Sequence, residues 1–395
     1  MNAHTTVKRP ISEKIGLCLW PYSQDMNAQI KACHDIGMKY ISCGVFLNPP
    51  DFSAPSDLFK STLQLCKAYG MHMMVNFTSF DSNSGFSDDG FKEETQSYYS
   101  SDMLEKIKNS CLEIYQVLKG GDVVYEGWNE PNGGFWSPKA YWENQTDPSI
   151  VSASTAMEIW LAKQGRNIDQ TATFTGPSMF QAPDYDVVYG GGGNNRKYVN
   201  MTAQFGLYDV LDAVCIHPYM QQSIENGSPE LLLSMGKMKV TNLPLVSNEF
   251  GFFVYDKSNG NTSWQGAWNP HTAAALTLRQ ILIMDLTGYS IIAMYGSGGG
   301  AMGVTSNAGN ILSTGKAMQW LLAELNGYTL DSKIEVTAHN GYIDDLYVLK
   351  YTKDGASNKI VYWTPSRFGE SCGTVVDGKF VELFFTDYPQ IKEMN

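Results

Sequence analysis

Residues 122–132 read DVVYEGWNEPN, a short apolar run followed at once by an amide, a glutamate and a proline. Such a run predicts a strand that ends at a loop. Seven further runs of this kind occur from about residue 15 to residue 296, and longer segments with helical periodicity lie between them. This alternation predicts a parallel sheet with crossover helices.

The eight predicted strands share a short length and a high content of β-branched or aromatic residues. They are KIGLCLW in the region 15–21, KYISCGVF (39–46), MHMMVNF (71–77), DVVYEGWNE (122–130), ATFTGPS (172–178), DAVCIHPY (212–219), PLVSNEF (244–250) and YSIIAMYG (289–296). Eight βα units in about 310 residues fit a closed (β/α)8 TIM barrel better than an open sheet, whose strands more often number about five to seven.

The pattern changes after residue 327. GKAMQWLLAELNG (315–327) predicts the last barrel helix, and the remaining segments have the period-two character of strands, with turn residues between them. We therefore expect a catalytic barrel over residues 1–327 and a small C-terminal β-sandwich over residues 328–395. Residues 1–14 are a candidate for an additional strand of the sandwich.

Composition limits the class of partner. The formal charge of -12 and a pI near 5.0 argue against a nucleic-acid partner, since phosphate binding needs clustered Lys and Arg. The longest apolar runs stop short of the roughly 18 residues that a membrane-spanning helix requires. The six histidines show neither an HExxH motif nor close pairing, so we expect no catalytic metal and no cofactor. Oligomeric state is left open.

The N-terminus and the cysteines bear on the compartment. The start, MNAHTTVKRPISEK, has no apolar segment of the kind found in secretory signals. Seven scattered cysteines without a CxxC pair favour reduced, buried thiols and a cytoplasmic protein. Secretion after removal of a signal peptide is the alternative.

Two glutamates end predicted strands. Glu130 ends the fourth strand and Glu249, in Ser247-Asn248-Glu249-Phe250-Gly251, ends the seventh. Side chains at the C-terminal ends of barrel strands face the mouth, so the two carboxyl groups are expected to face each other there. Retaining glycosidases need two carboxyl groups about 5 to 5.5 Å apart. The alternative for each glutamate is a strand-ending turn without catalytic function.

The GWNEPN motif (127–132), together with NEF (248–250), resembles clan A of the glycoside hydrolases, in particular family 39 and less closely family 5-like and family 30-like enzymes. The resemblance covers the barrel by its layout and extends to the trailing sandwich. It implies a retaining mechanism in which Glu130 is the acid/base and Glu249 the nucleophile. It also implies that Asn129 holds the substrate 2-hydroxyl, and that His217 and Tyr219 contact the substrate and the nucleophile.

Two departures leave the subfamily and the sugar open. Many clan members carry an Arg near the end of strand two, but residues 40–45 contain none, and Tyr295 stands where strand eight often ends in Trp.

Aromatic residues near the predicted mouth are candidates for substrate contact, since aromatic faces stack on the apolar faces of sugar rings. The alternative for each of them is that it only packs the loop in which it lies. The predicted aromatic contacts to substrate, besides Tyr219, are Trp20, Trp136, Trp142, Trp264, Trp268 and Tyr295.

The sequence therefore predicts a retaining glycosidase that cleaves β-glycosidic bonds of a poly- or oligosaccharide by double displacement. Endo action is favoured because aromatic residues are spread around the predicted mouth. An exo-β-xylosidase-like enzyme is one alternative, and a non-catalytic carbohydrate-binding barrel is another. Transfer to a sugar in place of water is left open.

Overall fold

The structure is a computed structural model, and it describes residues 3–22, 25–48, 50–79, 101–132, 136, 146–181, 194–219, 240–254, 268–296, 301–336, 346–365 and 370–394.

Within these residues, nine strands form one parallel sheet. They are β1 (Ile15–Leu19), β2 (Tyr40–Phe46), β3 (His72–Thr78), β4 (Val124–Trp128), β5 (Thr173–Phe174), β6 (Met179–Phe180), β7 (Val214–His217), β8 (Leu245–Ser247) and β9 (Tyr289–Tyr295). Their hydrogen-bonded order is β5-β4-β3-β2-β1-β9-β8-β7-β6.

The sheet closes on itself at its fifth position. The fifth strand was predicted over residues 172–178, which include β5 and end just before β6. β5 pairs with β4 and β6 pairs with β7, and together they form one segment of the chain, residues 173–180. This segment is interrupted at the Gly176–Pro177 peptide, where Pro177 has no N–H to donate to the ladder. The structure thus confirms the (β/α)8 barrel, with one of its eight strands split in two.

Helices cover the outside of the barrel. Those that the structure describes are α1 (Met26–Ile36), α2 (Ser56–Ala68), α3 (Ser101–Leu118), α4 (Pro148–Ile168), α5 (Asn194–Gln204), α6 (Pro270–Leu286) and α7 (Ser313–Glu324). Their ends follow local chemistry. The Asp25 side chain caps α1 by accepting from the Ala28 N–H, and Gly37 ends that helix in the left-handed region.

The inside of the barrel is packed. Tyr40, Met74, Val124, Cys215 and Val246 belong to one buried cluster contributed by five different strands. Such a filled interior leaves a cavity only at the ends of the barrel, where loops meet. The functional site is therefore sought at the C-terminal ends of the strands.

A small β-sandwich follows α7, as predicted. One sheet has the order β10-β11-β12-β15 and the other is the hairpin β13-β14. The strands are β10 (Thr329–Lys333), β11 (Tyr347–Thr352), β12 (Asn358–Trp363), β13 (Glu370–Val376), β14 (Lys379–Phe385) and β15 (Gln390–Met394). The last strand was not predicted, because QIKEM lacks the apolar alternation that marked the others.

A buried ion pair joins the barrel to the sandwich. Lys14 Nζ lies 2.5 Å from Asp285 Oδ1, and the hydroxyl of Tyr351 on β11 donates to Asp285 Oδ2 at 2.9 Å. All three side chains are buried, and each charge has a partner. Removal of one partner would leave an uncompensated buried charge, so this contact fixes the sandwich on the barrel.

The N-terminal segment does not form the sandwich strand that was expected of it. Residues Ala3–Thr5 and Ile11–Glu13 form 3-10 turns, and residues 3–14 belong to none of the described sheets. Pro10 cannot donate to a ladder, and the Lys14 N–H closes the second turn on the Ile11 carbonyl at 3.0 Å. The segment lies instead across the N-terminal ends of the barrel strands.

No described helix is long and apolar enough to cross a membrane.

Candidate active site

A pocket of about 370 Å³ opens at the C-terminal ends of the barrel strands. Glu130 follows β4 and Glu249 follows β8, and both carboxyl groups reach this pocket. Its lining combines these carboxyls with amide, aromatic and sulfur-bearing side chains. The lining residues are Cys18, Trp20, Gly44, Phe46, Asn76, Thr78, Asn129, Glu130, Phe180, Tyr219, Glu249, Phe253, Tyr295 and Met302.

The backbone of Glu130 is held in an unusual conformation. Its φ is 39°, in the left-handed region that residues other than Gly rarely adopt. The Glu130 N–H donates to the Ser178 carbonyl at 2.8 Å, and the Asn129 N–H donates to the Phe77 carbonyl at 2.8 Å. Neighbouring strands on both sides thus fix the backbone that aims Glu130, and strain of this kind concentrates at functional sites.

A buried carboxyl group supports the same strand end from behind. Oε1 of Glu158, on α4, accepts from the Trp128 N–H at 2.8 Å. Gly127 has φ 72°, and a Cβ there would lie only 1.8 Å from Oε2 of Glu158. Only glycine fits this position, which lets Glu158 approach the backbone three residues before Glu130. Burial raises the pKa of Glu158 to about 8.

His217 joins the two catalytic candidates. Its Nδ1 lies 2.7 Å from Oε1 of Glu130 and 3.7 Å from Oε2 of Glu249, and its ring is fully buried. One ring nitrogen and one oxygen from each glutamate all lie within 4.8 Å of one another. The two carboxyl groups therefore face each other across the pocket, as the positions of their strands predicted.

Burial and neighbouring charges act in opposite directions on the pKa values of His217 and Glu249. Burial alone would lower the pKa of His217, but the charges of Glu249 and Glu130 together with hydrogen bonds raise it well above its usual range. Burial raises the pKa of Glu249 to about 7, while the His217 charge and the Tyr219 hydroxyl act to lower it. A protonated imidazole donates a hydrogen bond and cannot ligate a metal, so the trio is better suited to proton transfer than to holding a cation.

Tyr219 orients Glu249. Its hydroxyl donates to Oε2 of Glu249 at 3.1 Å. The resemblance implied that Tyr219 contacts Glu249, and the two side chains are in contact. The hydrogen bond acts to lower the pKa of Glu249, but burial outweighs it and that pKa is raised.

Asn129 has a fixed amide orientation. Nδ2 of Asn76, at the end of β3, donates to Oδ1 of Asn129 at 2.9 Å. Because the Asn129 oxygen accepts this bond, its NH₂ group is the part left to donate into the pocket. That is the arrangement needed to hold an acceptor such as a sugar hydroxyl.

A third carboxyl group lies beneath the pocket. Glu126, on β4, is fully buried and accepts from the Ser42 hydroxyl at 3.2 Å. Burial raises the pKa of Glu126 to about 8, so it is mostly neutral at pH 7. Glu126 therefore adds little negative charge beneath the pocket.

The aromatic residues predicted to contact substrate separate into three groups. Trp20 and Tyr295 line the pocket, and Trp20 is 37% exposed with its ring against Phe46. Trp136 is instead a core residue, 4% exposed and packed edge-on against Trp128. Trp268 packs with Phe252 away from the pocket. Trp142 and Trp264 lie outside the described residues.

Trp136 and Trp268 show why loop aromatics were difficult to assign. A tryptophan in a long loop fills the space under that loop as readily as it faces solvent, and the sequence does not distinguish these outcomes. Conversely, Asn76 was missed although it ends a predicted strand. The rule that selected Glu130 and Glu249, a polar residue at the C-terminal end of a barrel strand, also identifies Asn76.

The fold and the site define a class, a (β/α)8 barrel with two facing carboxyl groups at its mouth and a C-terminal β-sandwich. No protein-family model matches the sequence, and no curated protein matches it.

Several solved structures of glycoside hydrolases are similar to this chain in fold. A family 39 glycoside hydrolase from Bacteroides cellulosilyticus WH2 has a TM-score of 0.64 at 14% identity, over 99% of this chain and 81% of that one. A family 30 endoxylanase from Clostridium papyrosolvens C71 has a TM-score of 0.55 at 12% identity, over 96% and 95%. A family 5 subfamily 4 broad-specificity endoglucanase from Clostridium longisporum has a TM-score of 0.57 at 13% identity, over 82% and 99%. The resemblance to these families is thus confirmed in the fold.

Proposed function

We propose that the protein is a retaining glycoside hydrolase that cleaves β-glycosidic bonds by double displacement, with Glu249 as nucleophile and Glu130 as acid/base. The observation that carries the proposal is the short distance between the two carboxyl groups. Oxygens of Glu130 and Glu249 lie within 4.8 Å of each other. Retaining enzymes space these groups about 5 to 5.5 Å apart, whereas inverting enzymes leave about 6.5 to 9.5 Å for a water molecule.

In the first displacement, the Glu249 carboxylate attacks the anomeric carbon while Glu130 donates its proton to the departing glycosidic oxygen. A covalent ester between the sugar and Glu249 results. In the second displacement, Glu130 takes a proton from water, and the water oxygen attacks the anomeric carbon and releases Glu249. At the end of the second displacement, Glu130 is protonated again and Glu249 is again a free carboxylate.

The surrounding side chains have roles that follow from their contacts. His217 donates to Oε1 of Glu130 at 2.7 Å, which leaves the other oxygen of that carboxyl to carry the transferred proton. Tyr219 holds Oε2 of Glu249, so the nucleophile approaches the sugar in one orientation. The Asn129 amide is placed to hold a hydroxyl of the bound sugar beside the reacting carbon.

A β-linked polysaccharide is the proposed substrate class, attacked within the chain. Two of the similar structures are an endoxylanase and a broad-specificity endoglucanase, which supports xylan and β-glucan as the first substrates to assay. Trp20 and Phe46, with ring centroids 5.0 Å apart, form an aromatic wall at the edge of the pocket that suits stacking on sugar rings. We propose a cytoplasmic location, which seven scattered cysteines without a CxxC pair favour, with secretion as the alternative.

The proposal is tested by product analysis on β-linked polysaccharides and aryl β-glycosides, with Glu130→Gln and Glu249→Gln beside the wild type. We expect both variants to lose activity by about 10³-fold or more, since each removes several kcal/mol of transition-state stabilisation. Glu105→Gln, an exposed glutamate on α3, is the matched control and should keep full activity.

The leaving group separates the two roles. An aryl glycoside with an acidic phenol needs no protonation to depart, so Glu130→Gln should still release one equivalent of phenol in a burst and then stall. Glu249→Gln should give no burst. Sugar binding by a wild type that hydrolyses nothing on the panel would instead establish the non-catalytic binding barrel.

A further inference from the structure

A second cluster of ionisable side chains lies at the opposite end of the barrel from the pocket. His72 begins β3, Asp122 lies two residues before β4, and His4 belongs to the N-terminal 3-10 turn. The three residues come from segments far apart in the sequence, which is why no spacing motif indicated them. The fold brings their ligand atoms within 4.8 Å of one another.

We propose that His4, His72 and Asp122 form a binding site for a divalent transition-metal ion, with Zn²⁺ as the preferred ion, and that the ion fastens the N-terminal segment to the base of the barrel.

The distances fit one ion between three side chains. Nε2 of His4 lies 3.1 Å from Oδ1 of Asp122, and Nδ1 of His72 lies 3.3 Å from Oδ2 of Asp122. Ligand atoms on a tetrahedral zinc ion are about 3.3 to 3.5 Å apart, given bonds of about 2.0 to 2.2 Å. Both nitrogen–oxygen distances are near this separation and all three ligand atoms lie within 4.8 Å of one another, so side-chain rotation can bring them onto one ion, with water completing its coordination.

The surroundings of both imidazoles favour the neutral form, which is the form that ligates a metal. Burial is the largest effect on each ring, and it lowers the pKa of His4 and the pKa of His72. The Asp122 carboxyl group lies beside both rings.

A surrounding contact orients one ligand. Nδ1 of His4 lies 2.9 Å from the Tyr40 hydroxyl, which also accepts from Arg9 at 2.9 Å. With Nδ1 engaged in this way, Nε2 is the ring atom that faces Asp122. Metal-ligating histidines characteristically have their second nitrogen held by such a partner.

The backbone at Asp122 adds to the case. Its φ is 55°, in the left-handed region, where Asp and Asn are tolerated better than other residues with a Cβ. In this conformation, the half-exposed carboxylate of Asp122 faces the buried imidazole of His4 and the partly exposed imidazole of His72. Two nitrogens with one carboxylate suit Zn²⁺, whereas Mg²⁺ and Ca²⁺ prefer oxygen ligands.

The test is calorimetric titration of the chelator-treated full-length protein with Zn²⁺, supported by the visible absorption of bound Co²⁺. We expect one equivalent to bind saturably and to raise the Tm by several degrees, because an ion that binds only the folded state stabilises it. Asp122→Asn keeps the shape and the tolerated backbone conformation. It should weaken binding by about tenfold or more and abolish the Tm shift.

Two controls locate the ion. His34→Gln removes a surface histidine that makes a similar contact, 3.3 Å from Asp35, and should bind Zn²⁺ like the wild type. Glu130→Gln should also bind normally, which would exclude the pocket as the site. The proposal is overturned if the wild type shows no saturable binding, or if Asp122→Asn binds Zn²⁺ as tightly as the wild type does.

Discussion

Nδ1 of His217 lies 2.7 Å from Oε1 of Glu130, so a fully buried imidazole holds one oxygen of the proposed acid/base. The same nitrogen is 3.7 Å from Glu249. The positive charge of His217 therefore lies beside both carboxyl groups, and it acts to lower the pKa of Glu249, which burial raises.

Replacement of His217 tests this arrangement. Since the His217 charge lowers the pKa of Glu249, His217→Gln should raise that pKa further above its value of about 7. Glu249 must be ionised to attack, so the acidic limb of the kcat/KM profile should move to higher pH. We expect a loss of about 10- to 100-fold at pH 7. His271→Gln, at an exposed histidine, should leave the limb in place.

Removal of the Tyr219 hydroxyl should have a related effect of similar size. In the wild type, the hydrogen bond from Tyr219 to Oε2 of Glu249 lowers the pKa of that carboxyl, and Tyr219→Phe deletes this bond. Hydrogen bonds to charged groups contribute about 1.5 to 3 kcal/mol, so kcat/KM at pH 7 should fall by about 10- to 100-fold. The deficit should shrink as the pH rises above 7. A deficit of equal size at every pH would show that Tyr219 acts on the substrate alone.

The Asn76–Asn129 pair predicts non-additive effects. Asn129→Ala should lower kcat/KM on ordinary glycosides and have little effect on 2-deoxy glycosides, which lack the hydroxyl that Asn129 is proposed to hold. Asn76→Ala should produce part of the same loss, because Asn76 acts by orienting the Asn129 amide. In the double variant the losses should not add. Full additivity would mean that Asn76 contributes independently.

Much of the fold was predictable because the barrel repeats one pattern. Strand positions followed from short apolar runs, and the C-terminal location of the site followed from the geometry of every such barrel. Glu130 and Glu249 were selected because each lies at the end of a predicted strand. Asn129, His217 and Tyr219 were selected by resemblance, and the structure brings His217 and Tyr219 against the two glutamates.

The features that sequence did not reveal depend on contacts between distant segments. Glu158 lies in the middle of α4, and nothing in its helical sequence indicates that it holds the backbone beside Gly127. Trp136 was expected at the pocket and lies in the core, because loop packing is decided in three dimensions. The split of the fifth strand at Pro177 was not predicted, although a proline has no N–H for a central strand and therefore indicates an interruption.

Glu158 should also control how stability depends on pH. Its pKa is 4.5 in the unfolded chain and about 8 in the folded protein, so between these values the unfolded chain loses a proton that the folded protein keeps. Stability contributed by this group therefore falls as the pH rises from about 4.5 to about 8. Glu158→Gln carries no such proton and can still accept from the Trp128 N–H.

We expect Glu158→Gln to match the wild type in stability near pH 4 and to exceed it by about 2 to 4 kcal/mol near pH 8. Urea denaturation of both proteins across this range measures the difference. A variant that is less stable than the wild type at every pH would show that the carboxyl group contributes a contact that the amide cannot replace.

The stereochemistry of the first product tests the central claim most directly. Proton NMR recorded in the first minutes of hydrolysis of a β-linked substrate identifies the anomer that is released before mutarotation. Oxygens of Glu130 and Glu249 lie within 4.8 Å of each other. Inverting enzymes hold their two carboxyl groups about 6.5 to 9.5 Å apart to make room for the attacking water, so this shorter separation predicts that the β-anomer is released first. Initial release of the α-anomer would contradict it, since inversion requires direct attack by water.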